Sequence, residues 1–100
     1  METKNEVRFN LGQIVATPGA LEALSRVNSN GMKYLRRHVT GDWGIVCDED
    51  KQANEMALHT GARLMSAYFL PDETKLWIIT EAADDSGKRA ATTLLLPDEY

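Results

Sequence analysis

The strongest constraint on this chain lies in its last forty residues. Three runs rich in apolar and β-branched residues, Arg63–Leu70, Lys75–Thr80 and Ala91–Leu96, are separated only by Pro71-Asp72-Glu73-Thr74 and a polar loop at 82–88. Runs of this length bounded by Pro, Asp, Gly and Ser read as strands. The four-residue connection forces the first two into an antiparallel hairpin, so the C-terminal part is a β-meander. Trp77-Ile78-Ile79 and Leu94-Leu95-Leu96 are continuous rather than alternating, which suggests strands covered on both faces or central in the sheet.

The first sixty residues follow a different period. Phe9–Thr17 reads as one short strand. Thr17-Pro18 opens a helix, because Thr caps well and Pro suits the first helical position. Leu21, Leu24 and Val27 follow at helical spacing, and Asn28-Ser29-Asn30-Gly31 ends it. A second helix over Met32–Val39 places Met32, Leu35 and Val39 on one face and stops at Gly41. Gly41-Asp42-Trp43-Gly44 is a tight turn. After the apolar Ile45-Val46-Cys47, Asp48-Glu49-Asp50 opens a third helix to about Thr60, with the acids at the positive end of its dipole. Ala53, Met56, Ala57 and Thr60 form its expected buried face, and Gly61 its cap. The order is β-α-α-α-β-β-β: an α+β domain with helices packed on an antiparallel sheet.

Composition narrows function more than it names it. One hundred residues allow one domain, here 9–100 behind a flexible 1–8. A single cysteine excludes an intrachain disulfide framework, and no apolar window is long enough to span a membrane. The start of the chain lacks the basic-then-apolar order of a secretory leader, so a cytoplasmic protein is expected. Residues 1–40 hold six basic and three acidic groups, a balance of +3. Residues 41–100 hold five and twelve, a balance of −7. The acidic remainder opposes a general nucleic-acid binder.

Several residue groups could carry chemistry. Arg36-Arg37-His38 with Tyr34 is the best basic and aromatic patch, able to hold phosphate or an acidic protein surface, with Arg8, Arg26 and Lys33 as possible additions. Trp43, beside Asp42 and between glycines, is either a core anchor for its turn or an exposed hot spot; Trp77 reads as core. His38, Asp42, Cys47 and His59 match no zinc spacing. Cys47 follows two apolar residues and precedes three acids, which suits a buried thiol better than a nucleophile. Glu81, Asp84 and Asp85 could hold a hard cation but lack calcium-loop spacing. Pro71-Asp72-Glu73-Thr74-Lys75 carries the letters of a nuclease signature in one turn, where its two acids cannot face a metal from separate strands. No metal and no cofactor is expected.

FNLGQIVATPGALEAL, HVTGDWG, LWIITEA and TTLLLPDEY, together spread over Phe9 to Tyr100, resemble a family of short bacterial proteins found on plasmids and integrated elements. These are called plasmid-related or hypothetical proteins, and in places subunit M of a type I restriction system. The loop Ala83–Lys88 is longer than in that family. A methylating subunit needs a much larger domain, a Gly-rich cofactor loop and an Asn-Pro-Pro-aromatic motif, and this sequence has neither motif. The resemblance therefore implies context, a small accessory protein of mobile DNA, and supplies no catalytic residues.

Three readings follow. The first is a small acidic non-catalytic module that binds, or inhibits, a host or element-encoded protein through Trp43, Asp42, Arg36, Arg37 and Tyr34. A nucleic-acid mimic within that reading requires one contiguous acidic surface. The second is a small ribonuclease-like toxin with His38 as the acid–base group and Arg36 and Arg37 on phosphate. The third is a homodimer formed through Trp43 or an edge strand.

Overall fold

The computed structural model describes residues 6–100. Strand β1 (Gln13–Ala16) leads into helix α1 (Pro18–Arg26), followed by α2 (Gly31–Val39), α3 (Asp48–Thr60), β2 (Leu64–Phe69), β3 (Lys75–Thr80), β4 (Ala91–Leu95) and a 3-10 turn (Pro97–Glu99). The strand order is β1-β4-β3-β2. β2, β3 and β4 form the expected antiparallel meander, and β1 adds to β4 in parallel, which makes the sheet mixed. The α+β class and the β-α-α-α-β-β-β order are those read from the sequence.

Local chemistry explains where the helices start and stop. The Thr17 hydroxyl accepts the Ala20 N–H, and the Asn30 side-chain amide oxygen accepts the Met32 N–H. The Glu99 carboxylate accepts the Leu96 and Gly19 N–H groups and the Thr17 hydroxyl, tying the C-terminal turn to the start of α1. Gly61 closes α3 in the left-handed region, at φ 83°.

The main core lies between α1, α2 and one face of the sheet. It joins Ala20, Ala23, Leu24, Tyr34 and Leu35 to Tyr68, Leu76, Ile78 and Leu94. A second cluster joins Trp43, Val46, Ala57, Leu64 and Ala67. Ile79 and Leu95, also buried, stand on the opposite face of the sheet and belong to neither cluster.

The helix faces differ from the expected stripes. On α1, Leu21 is 58% exposed while Ala20, Ala23 and Leu24 turn inward, since small residues let the helix approach the sheet closely. On α2, Met32 is exposed, and Tyr34 and His38 join Leu35 and Val39 inside. On α3, Met56 is 63% exposed, Ala53 and Thr60 are exposed, and Asn54 is buried beside Ala57. An apolar-only stripe missed these positions because the inward polar groups find partners and so can be buried. Trp77 is only partly buried. Cys47 is exposed, because it flanks α3 in extended conformation while Val46 alone of its run is buried.

Of the segment expected to be flexible, residues 1–5 lie outside the described residues. Arg8 donates its N–H to the Val39 carbonyl at 2.9 Å and pairs with Glu55 at 3.0 Å.

Candidate functional site

The basic and aromatic patch expected around α2 divides between surface and core. Tyr34 is buried in the main cluster, and Trp43 is buried in the second. The Trp43 indole N–H donates to the Glu55 carboxylate at 3.0 Å, so its polar edge is satisfied within the domain. The alternative left open for Trp43 is thereby decided: it anchors its turn and offers no contact surface. Arg36 and Arg37 remain exposed. Arg37 is engaged, with Nε 2.7 Å from the Asp42 carboxylate and its guanidinium 4.5 Å from the Tyr68 ring centroid. The Arg37 hydrogen bond holds the Asp42 carboxyl below the usual carboxylate range. The Asp42 carbonyl accepts the Tyr68 hydroxyl at 2.6 Å. Arg37, Asp42 and Trp43 thus clamp a turn to β2.

His38 is fully buried, which corrects its expected acid–base role. Its Nδ1 lies 2.5 Å from the Ser66 hydroxyl and its Nε2 2.9 Å from that of Thr80. The Thr80 hydroxyl lies 2.7 Å from that of Thr92, which donates to the Leu11 carbonyl. A carbonyl only accepts, so the chain has one direction. Thr92 donates to Leu11, Thr80 to Thr92, and His38 Nε2–H to Thr80. Nδ1 is left to accept the Ser66 proton. Burial pushes the His38 pKa down to about 3, and the charge of Arg89 adds to the effect. The imidazole is neutral at pH 7 and sealed between Phe9 and Trp43, whose ring centroids lie 5.1 and 5.8 Å away. It links α2 to three strands and cannot reach a substrate.

Arg89 is a structural residue that sequence reasoning missed. It is buried, and its guanidinium donates to the carbonyls of Ala57, Ala62 and Glu81, which fixes the end of α3 to the loop before β4. The only hint in the sequence is an arginine placed between a polar loop and an apolar strand.

The acids do not form one surface. Asp72 and Glu73 lie before β3 and Glu81, Asp84 and Asp85 after it, separated by six strand residues, roughly 20 Å. Asp48, Glu49 and Asp50 start α3, whose far end meets the second group through the Ala83 N–H and the Gly61 carbonyl. Thirteen helical residues again span about 20 Å. The nucleic-acid mimic loses its structural requirement. Several acids are also occupied. Asp84 accepts from the Ser86 hydroxyl and the Ser86 and Lys88 N–H groups, bonds that hold its pKa down, and Asp72 accepts the Thr74 N–H within its turn. A cleft of about 400 Å³ brings Arg8, Asn10, His59, Gly61, Asp84 and Arg89 together. Its charges are of both signs, and its arginines already hold Glu55 and backbone carbonyls. Among the described residues, no three His, Cys, Asp or Glu side chains converge to hold a metal ion. No helix among them is long and apolar enough to cross a membrane.

An apolar strip lies on the sheet face away from α1 and α2, where Ala67, Ile79 and Leu95 are buried and Val15, Phe69, Lys75 and Tyr100 are exposed. Cross-strand register places Met65, Ala67 and Phe69 beside Ile79, Trp77 and Lys75, then Thr93 and Leu95, then Val15. Tyr100 packs edge-on to Trp77 at 5.7 Å, and Arg63 donates to the Tyr100 hydroxyl. Phe69 is 53% exposed, and Lys75 lies over its ring at 5.9 Å. An aromatic patch with cationic flanks has the composition of a protein-contact surface. Compared with models of protein families, with curated proteins and with solved structures, the chain matches none.

Proposed function

We propose that this protein is a small non-catalytic protein-binding module, acting in the cytoplasm on a host or element-encoded protein, in keeping with the mobile-element context its sequence resembles. The observation that carries the reading is the aromatic sheet face of Phe69, Trp77 and Tyr100, flanked by Arg63 and Lys75. Its fitting partner presents apolar side chains ringed by carboxylates, which the two cations would steer and the aromatic rings would desolvate. The ribonuclease reading has no comparable support, since its acid–base histidine is sealed in the core.

The test is affinity capture with the wild type and with Phe69→Glu, combined with a nucleic-acid assay of the eluate. A protein partner whose capture falls at least about tenfold in the variant supports the reading, a loss of about 1.4 kcal/mol. Capture that survives the substitution, or RNA recovered without a protein, overturns it.

A further inference from the structure

The outer edge of β1 is the place where the fold leaves backbone groups open. The Gln13 N–H donates to the Ala90 carbonyl and the Thr17 N–H to that of Leu94. Backbone direction alternates along a strand, so the N–H and C=O groups of Ile14 and Ala16 point away from β4. Among the described residues none of these four groups has a partner outside the strand. The side chains on either side are apolar and half-exposed, Ile14 at 47% and Val15 at 41%. Natural sheets blunt such edges with Lys, Pro, bulges or a cover. Gln13-Ile14-Val15-Ala16 has none of these devices within it.

We propose that β1 is a dimerisation edge, and that its partner is the β1 of a second copy of this chain, paired antiparallel about a two-fold axis at Val15. Several observations select a second copy. The strand is uncharged, so self-pairing sets no like charges opposite one another. Only one register uses both outward residues on each chain: Ile14 of one copy opposite Ala16 of the other. That register places Val15 opposite Val15 and Gln13 opposite Thr17, pairing apolar with apolar and polar with polar. It makes four backbone hydrogen bonds, and Pro18, which has no N–H, ends the array. The far edge of the sheet, β2, is already occupied by Asn54 and the Trp43–Ile45 segment. With one open edge per chain the assembly closes at two copies and an eight-stranded sheet, and does not grow into a filament. Two backbone hydrogen-bonded pairs make a contact smaller than a standard interface of about 800 Å² per partner, so weak association is expected, with a dissociation constant of roughly 10 µM to 1 mM. The proposal concerns an edge separate from the aromatic face and stands without the reading of that face.

The experiment is sedimentation of the full chain from about 1 µM to about 1 mM, a range set by that dissociation constant, with site-directed cross-linking alongside. The wild type is expected to rise from 11.1 kDa to twice that mass. Val15→Lys, a change at a half-exposed site, keeps the melting curve and stays monomeric, its dissociation constant raised at least about tenfold by two charges meeting on the axis. In a Cys47→Ser background with an added oxidant, Val15→Cys forms a symmetric disulfide dimer. The non-hydrogen-bonded pair places the two α-carbons about 4.5 Å apart, within disulfide reach. Gln13→Cys, which faces Thr17 of the other copy, does not cross-link with itself. A wild type monomeric throughout overturns the proposal. So does a dimer unaffected by Val15→Lys, or equal cross-linking at Gln13 and Val15.

Discussion

The two edges of the sheet have opposite treatments. At β2 the Asn54 side chain does the work of a neighbouring strand: its amide donates to the Met65 carbonyl at 2.7 Å and accepts the Met65 N–H at 3.1 Å. Two residues on, the Ala67 N–H donates to the Trp43 carbonyl and the Ala67 carbonyl accepts the Ile45 N–H. Gly44 sits between them at φ 79°, so close to β2 that a β-carbon would overlap the Ala67 carbonyl. The outward N–H and C=O groups of Met65 and Ala67 are all matched. At β1 the outward groups of Ile14 and Ala16 meet no such cover among the described residues. The difference teaches that edge protection here comes from the long α2–α3 connection and from α3, elements that lie beside β2 and, among the described residues, have no counterpart beside β1.

If that contrast is correct, substitutions at the two edges have unequal costs. Trp43→Ala should be the most damaging, at about 3–5 kcal/mol by chemical denaturation, because it leaves a cavity and frees the segment that covers Ala67. Acidification comes next. His38 has a folded pKa near 3, below its unfolded value of 6.5. The unfolded chain therefore binds the proton first, and the stability owed to neutral His38 is complete above pH 6.5 and lost as pH falls toward 3. The expected slope approaches 1.4 kcal/mol per pH unit within that window, and the stability curves of the wild type and His38→Gln, parallel above pH 7, should separate in slope below pH 6, where the variant lacks this contribution. A wild type with a flat profile from pH 6.5 to 4.5 would break the description of the buried histidine. Asn54→Ala should cost about 2–3 kcal/mol, since it strands the Met65 N–H and carbonyl. It should also expose a second open edge, read as light scattering at high concentration. Ile14→Thr on β1 should change the monomer's stability by no more than about 0.5 kcal/mol. Equal costs for Asn54→Ala and Ile14→Thr would erase the distinction between the edges.

The fold was more legible than the site. Strand runs, the Thr17-Pro18 start and the Gly61 stop are local signals, and they placed the three helices and four strands in order, though not the 3-10 turn Pro97–Glu99. The buried polar residues were not legible. His38 falls one position from Val39 and two from Arg36, and only the spatial approach of Ser66 and Thr80 makes burying it affordable. Tyr34 and Trp43 gave no signal of direction, since aromatic residues serve cores and contact surfaces alike. The charge asymmetry along the chain suggested an acidic face, but helices and strands about 20 Å long carry neighbouring acids to opposite ends of the domain.

Sequence alone thus determined the class of fold, the sequence of elements and the caps, because hydrophobic period, capping and turn chemistry act over a few residues. Tertiary structure decided which polar groups are interior, which edge is sealed and which face is left apolar. Those outcomes depend on partners 11 to 42 positions away in the chain, as Asn54 with Met65 and His38 with Thr80 show, and a reading of near neighbours has no access to them.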